Sequence, residues 1–219
     1  HAVAHFTDLD GQVPSSRVMA TELLNILRPV VAIAVYLTFI AHALHQHPAE
    51  RDRLMRDDAD DTLHAYVQEV RRFYPFFPAV IARVRDDFEW KGYRFARHTP
   101  ALLDLYGTNH DPREWESPAT FRPERFLLQA PTPHNLIPQG GGDAHRTHRC
   151  PGETITLELM KRTTRFLTRA IRYELPPQDL GIAFTKLPAL PTSGVVIDRV
   201  RVVIDRVRVV RHVPAEPVM

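Results

Sequence analysis

The sequence has a single cysteine, Cys150, among its 219 residues, and this scarcity excludes an internal disulfide. It fits a reducing compartment, so we expect a cytoplasmic protein in which Cys150 is either an inert thiol or a ligand or nucleophile. The chain opens at His1 without a basic segment followed by an apolar stretch, so no signal peptide is expected. Charge of one sign is also lacking, because 28 Lys and Arg residues are interleaved with 26 Asp and Glu residues. No basic tract therefore predicts a nucleic-acid partner.

The sequence also lacks an uninterrupted apolar run long enough to cross a membrane. Residues 30–41 are almost wholly apolar, but these twelve residues fall short of the roughly 20 that cross a bilayer. No membrane span is therefore expected, and we interpret the run as a buried helix at the centre of a large helical domain. Covering such a helix takes more protein than 219 residues provide, so we expect a truncated piece of a larger protein.

The residue pattern predicts a mainly α-helical chain with small β-sheets. Ser15 opens the first helix and Pro48 ends it, while Lys91-Gly92 is a turn signal between two short strands. We treat residues 1–219 as one partial domain, and its predicted segments are a long central helix over 15–47, a helix over 61–74, a β-rich segment over 80–105, a loop over 108–150, a helix over 151–175 and a strand-like tail over 195–208.

Cys150 lies between the loop, which is rich in Pro, Asn, Asp and Gly, and the helix that follows it. The free N–H groups at a helix N-terminus stabilise negative charge, so this position favours the thiolate. Arg146, His148 and Arg149 add positive charge nearby. We therefore favour a functional thiolate over a structural cysteine.

The tail contains a direct repeat. Residues 195–201 recur without change as 202–208, which is an alternating strand pattern written twice. Two copies do not make a repeat architecture. We interpret the repeat as a tandem duplication in the gene or in sequence assembly rather than as a second functional strand.

Three motifs, in order along the chain, resemble those of the cytochrome P-450 superfamily. Glu69-Val-Arg-Arg72 matches its Glu-x-x-Arg helix motif, and Phe121-Arg-Pro-Glu-Arg-Phe126 contains its Pro-Glu-Arg-Phe motif. Gln139-Gly-Gly-Gly142 followed by His148-Arg-Cys-Pro-Gly-Glu153 resembles the loop that carries the haem-ligating cysteine. The resemblance implies the C-terminal half of that fold, with Cys150 as the axial iron ligand of haem b (iron protoporphyrin IX).

Further residues acquire roles from these motifs. Glu69 and Arg72 lie one helical turn apart and can pair, and Arg125 can complete a three-residue network, to which the resemblance assigns a structural role. The resemblance implies that His148 donates to a haem propionate and that Gly152 belongs to the cofactor-binding loop.

One position departs from the family's pattern. The resembling loops carry a glycine directly before the His-Arg-Cys stretch, whereas this chain has Thr147. If that position requires a positive φ, a β-branched residue is strained there and haem affinity is expected to fall.

Arg28-Pro29 lies in the long helix among apolar residues. No carboxylate stands three or four residues away, so we expect a buried guanidinium that needs an external anion. Pro29 also removes a backbone donor, which frees the carbonyl of Asn25 and bends the helix there. The alternative is that Arg28 pairs with an acid outside these 219 residues.

The Arg-Pro pair and the loop 104–112 resemble the fatty-acid peroxygenase branch of the superfamily. This resemblance implies an enzyme that uses hydrogen peroxide, without a reductase, to hydroxylate or decarboxylate long-chain fatty acids near the carboxyl group. Arg28, with Pro29 beside it, is the implied catalytic and substrate-binding motif. The substrate carboxylate that Arg28 holds would act as the general acid-base.

Two alternatives stay open. A reductase-dependent monooxygenase would share Cys150 but is expected to carry an acid-alcohol pair in the central helix, and residues 27–30 contain none. An inactive fragment is the stronger alternative, because much of a normal enzyme is absent, the loop carries Thr147 and the tail is duplicated.

Overall fold

The structure is a computed structural model that describes residues 5–147 and 149–203, and it is mainly helical with small antiparallel sheets, as predicted. Its helices are α1 (Ser16–Gln46), α2 (Pro48–Arg56), α3 (Asp60–Phe73), α4 (Leu105–Asn109), α5 (Arg125–Leu128) and α6 (Glu153–Arg165). Its strands are β1 (Ala79–Arg83), β2 (Phe88–Trp90), β3 (Tyr93–Phe95), β4 (Pro100–Asp104), β5 (Ile171–Glu174) and β6 (Asp198–Val202).

The ends of α1 have simple causes. The Ser15 hydroxyl accepts a hydrogen bond from the Val18 N–H at 3.4 Å and caps the first turn. At the other end His47 leaves helical geometry, and Pro48 starts α2 at a position where no N–H donor is needed. Pro29 lies inside the helix, which continues past it.

Only the C-terminal part of α1 is buried. Tyr36, Phe39, Ile40 and Leu44 are at most 1% exposed and belong to the hydrophobic core. The prediction of a buried helix over 30–41 is wrong at its start, because Val30 and Val31 are exposed and the described helices α2, α3 and α6 leave that part of α1 uncovered.

By length and composition α1 could also cross a membrane, since an 18-residue window in it has a mean hydropathy of 2.0. The uninterrupted apolar run is only residues 30–41, and the high average arises because a longer stretch of the helix contains few charged residues. A core helix of a soluble protein has the same property, and the C-terminal part of α1 lies in the core. One such helix is weak support for a membrane span.

Helix α3 supplies the centre of the core. Leu63, Tyr66, Val67 and Val70 recur at helical spacing and are fully buried, and Met160 of α6 packs in the same cluster. Burying one such side chain stabilises a fold by about 1.5–3 kcal/mol. The packing of α1, α3 and α6 therefore fixes the frame in which the site lies.

Between α3 and the loop lie two antiparallel strand pairs. The strands β2 and β3 form the predicted hairpin, and its two-residue turn has positive φ at both Lys91 (49°) and Gly92 (78°). The strand β1 pairs with β4 around this hairpin. After α4, the segment up to Cys150 is irregular apart from α5.

The helix predicted over 151–175 ends earlier than expected. After α6 comes a π-helical turn, Phe166–Ala170, and then the strand β5. In β5 the side chains of Ile171 and Tyr173 are buried and those of their neighbours are exposed, a period of two that fits a strand. Pairing with β6 therefore overrides the helical spacing.

The strand β6 spans the junction between the two copies of the tail repeat. It runs antiparallel to β5, with Val202 opposite Ile171 and Asp198 opposite Glu174. The rest of the second copy, 204–208, lies outside the described residues.

Candidate functional site

Helix α3 carries a buried, bidentate ion pair. The Nε and Nη2 atoms of Arg72 lie 2.7 and 2.8 Å from the two carboxylate oxygens of Glu69. Both side chains are fully buried. The helix brings them together because residues three apart share a face, and such pairing is what allows charges to be buried.

Arg125, at the start of α5, lies against the same carboxylate. Its Nε is 3.2 Å from Oε2 of Glu69, so one carboxylate faces two guanidinium groups. Burial lowers the pKa of Arg125, and the charge of Glu69 opposes this shift. Further N–H groups of the two arginines donate to loop carbonyls, namely those of Asn109, Pro118 and Thr120 from Arg72 and those of Glu116, Ser117 and Thr120 from Arg125. The cluster thus ties α3 to the loop that leads to Cys150.

A glycine turn precedes the cysteine. Gly140 and Gly142 have φ of 88° and 80°, a region that side chains rarely tolerate. A Cβ at Gly141 would come within 2.5 Å of a neighbouring side chain, so close packing excludes larger residues there. The N–H of Cys150 donates to the Gln139 carbonyl at 2.9 Å, which folds the loop back on itself.

Thr147 does not show the strain considered above. Positive φ outside glycine occurs, within the described part of the chain, at four residues that do not include it: Lys91, His98, Ser117 and Arg199. The Thr147 hydroxyl lies 2.7 Å from the Gly141 carbonyl and 2.6 Å from the Asp143 carbonyl. The hydroxyl has one proton to donate, so the side chain closes the turn with a hydrogen bond to one of these two carbonyls.

Cys150 is a half-buried free thiol immediately before α6. Gly152 is the N-cap, no side chain caps the helix, and the Glu153 N–H donates to the Cys150 carbonyl at 3.3 Å. The N-terminal end of α6 thus lies beside the sulfur, as predicted. Of the basic neighbours, Arg149 pairs with Glu153 at 2.6 Å, and His148 lies outside the described residues.

Arg28 lies on the exposed part of α1, so the prediction of a buried guanidinium is wrong for this chain. No described element covers that part of the helix. Among the described residues no hydrogen bond or ion pair involves its side chain. Leu24 and Val31, one turn to either side, are 63% and 70% exposed, so Arg28 is a cation set in an apolar face.

The buried end of α1 passes beside the cysteine loop. Burial raises the pKa of Tyr36, the charge of Arg71 opposes the rise, and the charges of Glu153 and Cys150 add to it. Tyr36 is therefore a neighbour of the loop. Arg28 lies eight residues earlier on the same helix, about 12 Å back along its axis.

Sequence reasoning missed Arg71, which is fully buried next to the network. Its guanidinium contacts side chains of Gln68, Gln139 and Glu153. Arg71 occupies one of the two unspecified positions of the Glu-x-x-Arg motif, so the motif assigns it no role. Adjacent helical residues point about 100° apart, so an arginine beside Arg72 faces a different element and needs its own partners. The sequence therefore contained a signal for a second set of partners around Arg71.

The surroundings of Cys150 fit a haem held by one thiolate. A soft sulfur at a helix N-terminus is a suitable axial iron ligand. A Cβ at Gly152 would stand 3.6 Å from the Cys150 sulfur, so the glycine leaves space beside the ligand that a flat cofactor can use. Cys150 would hold the iron, and Gly152 would allow the close approach.

Solved structures similar to this chain cover nearly all of it. Cytochrome P450SP alpha is 50% identical with a TM-score of 0.82, and the match covers 92% of this chain and 49% of that one. Cytochrome P450EX alpha with myristic acid is 45% identical with a TM-score of 0.79, over 90% of this chain and 48% of that one. The chain thus spans about half the length of these proteins.

Sequence comparisons point to the same family. Among curated proteins, tabersonine/lochnericine 19-hydroxylase from Catharanthus roseus is 32% identical over 119 residues, which cover 52% of this chain and 23% of the hydroxylase. The model of the family described as cytochrome P-450 matches residues 57–180, more than half of the chain. The solved structures similar to the chain include cytochromes P450SP alpha and P450EX alpha, of the fatty-acid peroxygenase branch that its motifs resemble. The chain therefore belongs to the cytochrome P-450 family.

Proposed function

We propose that this chain is the haem-binding part of a peroxygenase that uses hydrogen peroxide to hydroxylate long-chain fatty acids near the carboxyl group. Decarboxylation is an alternative outcome at the same site. The observation that carries the proposal is the cation of Arg28, which lies between the exposed apolar side chains of Leu24 and Val31 on α1 and has no side-chain partner among the described residues. A fatty acid offers the matching chemistry, because it combines one carboxylate with a long apolar chain.

The comparison with P450EX alpha supports this substrate class, since that structure contains myristic acid. A guanidinium binds a carboxylate through two parallel N–H bonds, which fixes both its position and its orientation. Leu24 and Val31 provide apolar contacts one turn to either side of Arg28. Arg28 would therefore orient the acid end of the substrate relative to Cys150.

Bound haem would supply the oxidising chemistry at the iron that Cys150 holds. The residues around Arg28 offer no carboxylic acid of their own three or four positions away, so the substrate carboxylate would move the proton that peroxide cleavage requires. Pro29 removes an N–H next to Arg28, and the helix runs on past it. The substrate would thus complete the catalyst.

The stoichiometry requires no reductase. In hydroxylation one oxygen atom of hydrogen peroxide enters a C–H bond of the fatty acid, and the other leaves as water. In decarboxylation one peroxide removes two hydrogen equivalents, so that the acid gives a terminal alkene, carbon dioxide and two molecules of water. A cytoplasmic location is part of the proposal and fits the single free cysteine.

The direct test replaces Arg28 by alanine in the haem-loaded protein and measures peroxide-driven product formation from myristic acid. We expect the dissociation constant for the acid to rise at least about tenfold and turnover to fall, because one partner of a charge pair is lost. Arg17→Ala, which removes another exposed arginine of α1, is the matched control and should change neither. Unchanged turnover in Arg28→Ala would contradict the proposal.

A second comparison uses the substrate itself. The methyl ester of myristic acid keeps the chain but lacks the carboxylate, so we expect almost no product from it. Equal turnover of acid and ester would show that the carboxylate has no catalytic part, even where haem is bound through Cys150.

The similarity to a plant hydroxylase favours a second candidate, a monooxygenase that needs a reductase. Adding NADPH and a cytochrome P-450 reductase separates the two. We expect hydrogen peroxide alone to support full turnover. Turnover only with the reductase would establish the second candidate, and failure to take up haem would establish an inactive fragment.

A further inference from the structure

Arg71 of α3 bridges the two sides of the cysteine loop. Its Nε donates to Oε1 of Gln139 at 3.0 Å, and its Nη2 donates to Oε1 of Glu153 at 2.6 Å. Gln139 precedes Cys150 by eleven residues and Glu153 follows it by three. One fully buried guanidinium thus holds both ends of the segment that contains the sulfur.

The backbone of Cys150 is tied to the same two residues. Its N–H donates to the Gln139 carbonyl at 2.9 Å, and its carbonyl accepts from the Glu153 N–H at 3.3 Å. The second carboxylate oxygen of Glu153 accepts from Nε of Arg149 at 2.6 Å. The residues that flank the cysteine are therefore linked through Glu153 to Arg71.

We infer that Arg71 and Glu153 are positioning residues that close the cysteine loop onto α3 and fix the direction of the Cys150 sulfur. The inference rests on the proposed function, in which Cys150 binds haem iron. A buried arginine is stable only when its N–H groups are paired, so the cluster has one well-defined arrangement. A metal ligand that is held by such partners keeps its geometry, and losing one partner typically lowers metal affinity about 10- to 100-fold.

This role differs from that of the Glu69–Arg72 pair. That pair lies on another side of α3 and contacts the carbonyls of the loop before the glycine turn. The Arg71–Glu153 pair touches residues on both sides of the sulfur. Its loss should therefore change the ligation of the iron, and not only the stability of the fold.

The test compares Glu153→Gln with Glu158→Gln, two identical changes on α6. Glu158 pairs with Lys161 and its side chain is 52% exposed, so it is a matched control. We measure the absorption spectrum of the carbonyl complex of the reduced, haem-loaded protein, in which thiolate ligation shifts the Soret band to the red of the band given by haem without a thiolate ligand. In Glu153→Gln we expect most of the intensity to move from the thiolate band to the band of the form without thiolate ligation, whereas Glu158→Gln should match the unaltered protein. Arg71→Lys keeps the charge without the planar fork and should lie between the two.

Hydrogen exchange of the haem-free protein gives a readout that needs no cofactor. Exchange in the segment 139–153 should accelerate at least about tenfold in Glu153→Gln, because a hydrogen bond to a charged group stabilises the closed form by that factor or more. Glu158→Gln should leave it unchanged. Exchange and spectra like those of the unaltered protein in Glu153→Gln would overturn the inference. If the unaltered protein shows no thiolate band, the proposed function fails separately, and the exchange result alone decides whether the loop is held by Glu153.

Discussion

Two regions of the molecule differ in whether their charged side chains have partners within the chain. On the cysteine side, formed by α3, α6 and the loop to Cys150, the buried acids and bases are paired with one another. On the exposed half of α1, residues 16–31, most side chains are exposed and many are apolar, Arg17 and Arg28 are the cations, and no described residue pairs with the Arg28 side chain.

The difference separates two tasks of the proposed enzyme. The ligand for the iron is positioned by contacts that lie within the chain, so the cysteine side is internally supported. The face proposed to bind the substrate has no partner for the Arg28 side chain among the described residues, and the carboxylate of the fatty acid is the partner that we propose. Substitutions on the cysteine side should therefore change the stability of the chain or the ligation of haem. Substitutions on the exposed half of α1 should change substrate binding and leave the stability of the chain almost unaltered.

The largest effect is expected from removing the sulfur. Cys150→Ala should abolish thiolate ligation of haem, because the described residues contain one cysteine and the proposed iron ligand is its thiolate. The measurement is the carbonyl spectrum of the reduced protein, with His134→Ala, an exposed change in the same loop, as the control. A thiolate-type spectrum that survives in Cys150→Ala would show that the ligand assignment is wrong.

A smaller but still large effect is expected from the buried network on α3. Glu69→Ala leaves two buried guanidinium groups without their carboxylate, and breaking such a pair costs about 3–5 kcal/mol of unfolding free energy. Urea unfolding of the haem-free protein measures this change.

The control for this measurement is Glu174→Ala, which breaks the exposed pair with Arg199. Exposed pairs contribute about 0–1 kcal/mol, so the control should change little. Equal losses in the two variants would mean that the cysteine side is no better supported than the surface.

The sequence predicted those parts of the molecule that depend on short spacing. Glu69 and Arg72 meet because three residues make almost one helical turn, and the Lys91-Gly92 hairpin forms because both residues tolerate positive φ. The place of Cys150 before a helix was also visible, since apolar periodicity resumes after it. In each case the determining interaction lies within a few residues.

The parts that the sequence did not predict depend on distant partners. The helix after Cys150 ends at a strand because β5 pairs with β6, in which Val202 lies 31 positions after its partner Ile171, although the spacing of the segment also fits a helix. Arg71 finds Glu153 across 82 positions, so no local pattern indicated the pair. The expected burial of Arg28 failed because burial depends on what packs against a helix, and an apolar neighbourhood in the sequence does not specify that.

The smallest change in unfolding free energy is expected from a substitution on the exposed half of α1. This substitution tests most directly whether that face is uncovered. Leu24 is 63% exposed, so Leu24→Gln should change the unfolding free energy of the chain by no more than about 0.5 kcal/mol. Leu44 on the same helix is 1% exposed, and Leu44→Ala should cost about 2–5 kcal/mol because it leaves a cavity in the core. Urea unfolding of both variants measures the contrast within a single helix. A loss above 1 kcal/mol in Leu24→Gln would mean that this face already packs against the chain in solution, and the separation into a supported cysteine side and an uncovered face of α1 would then be wrong.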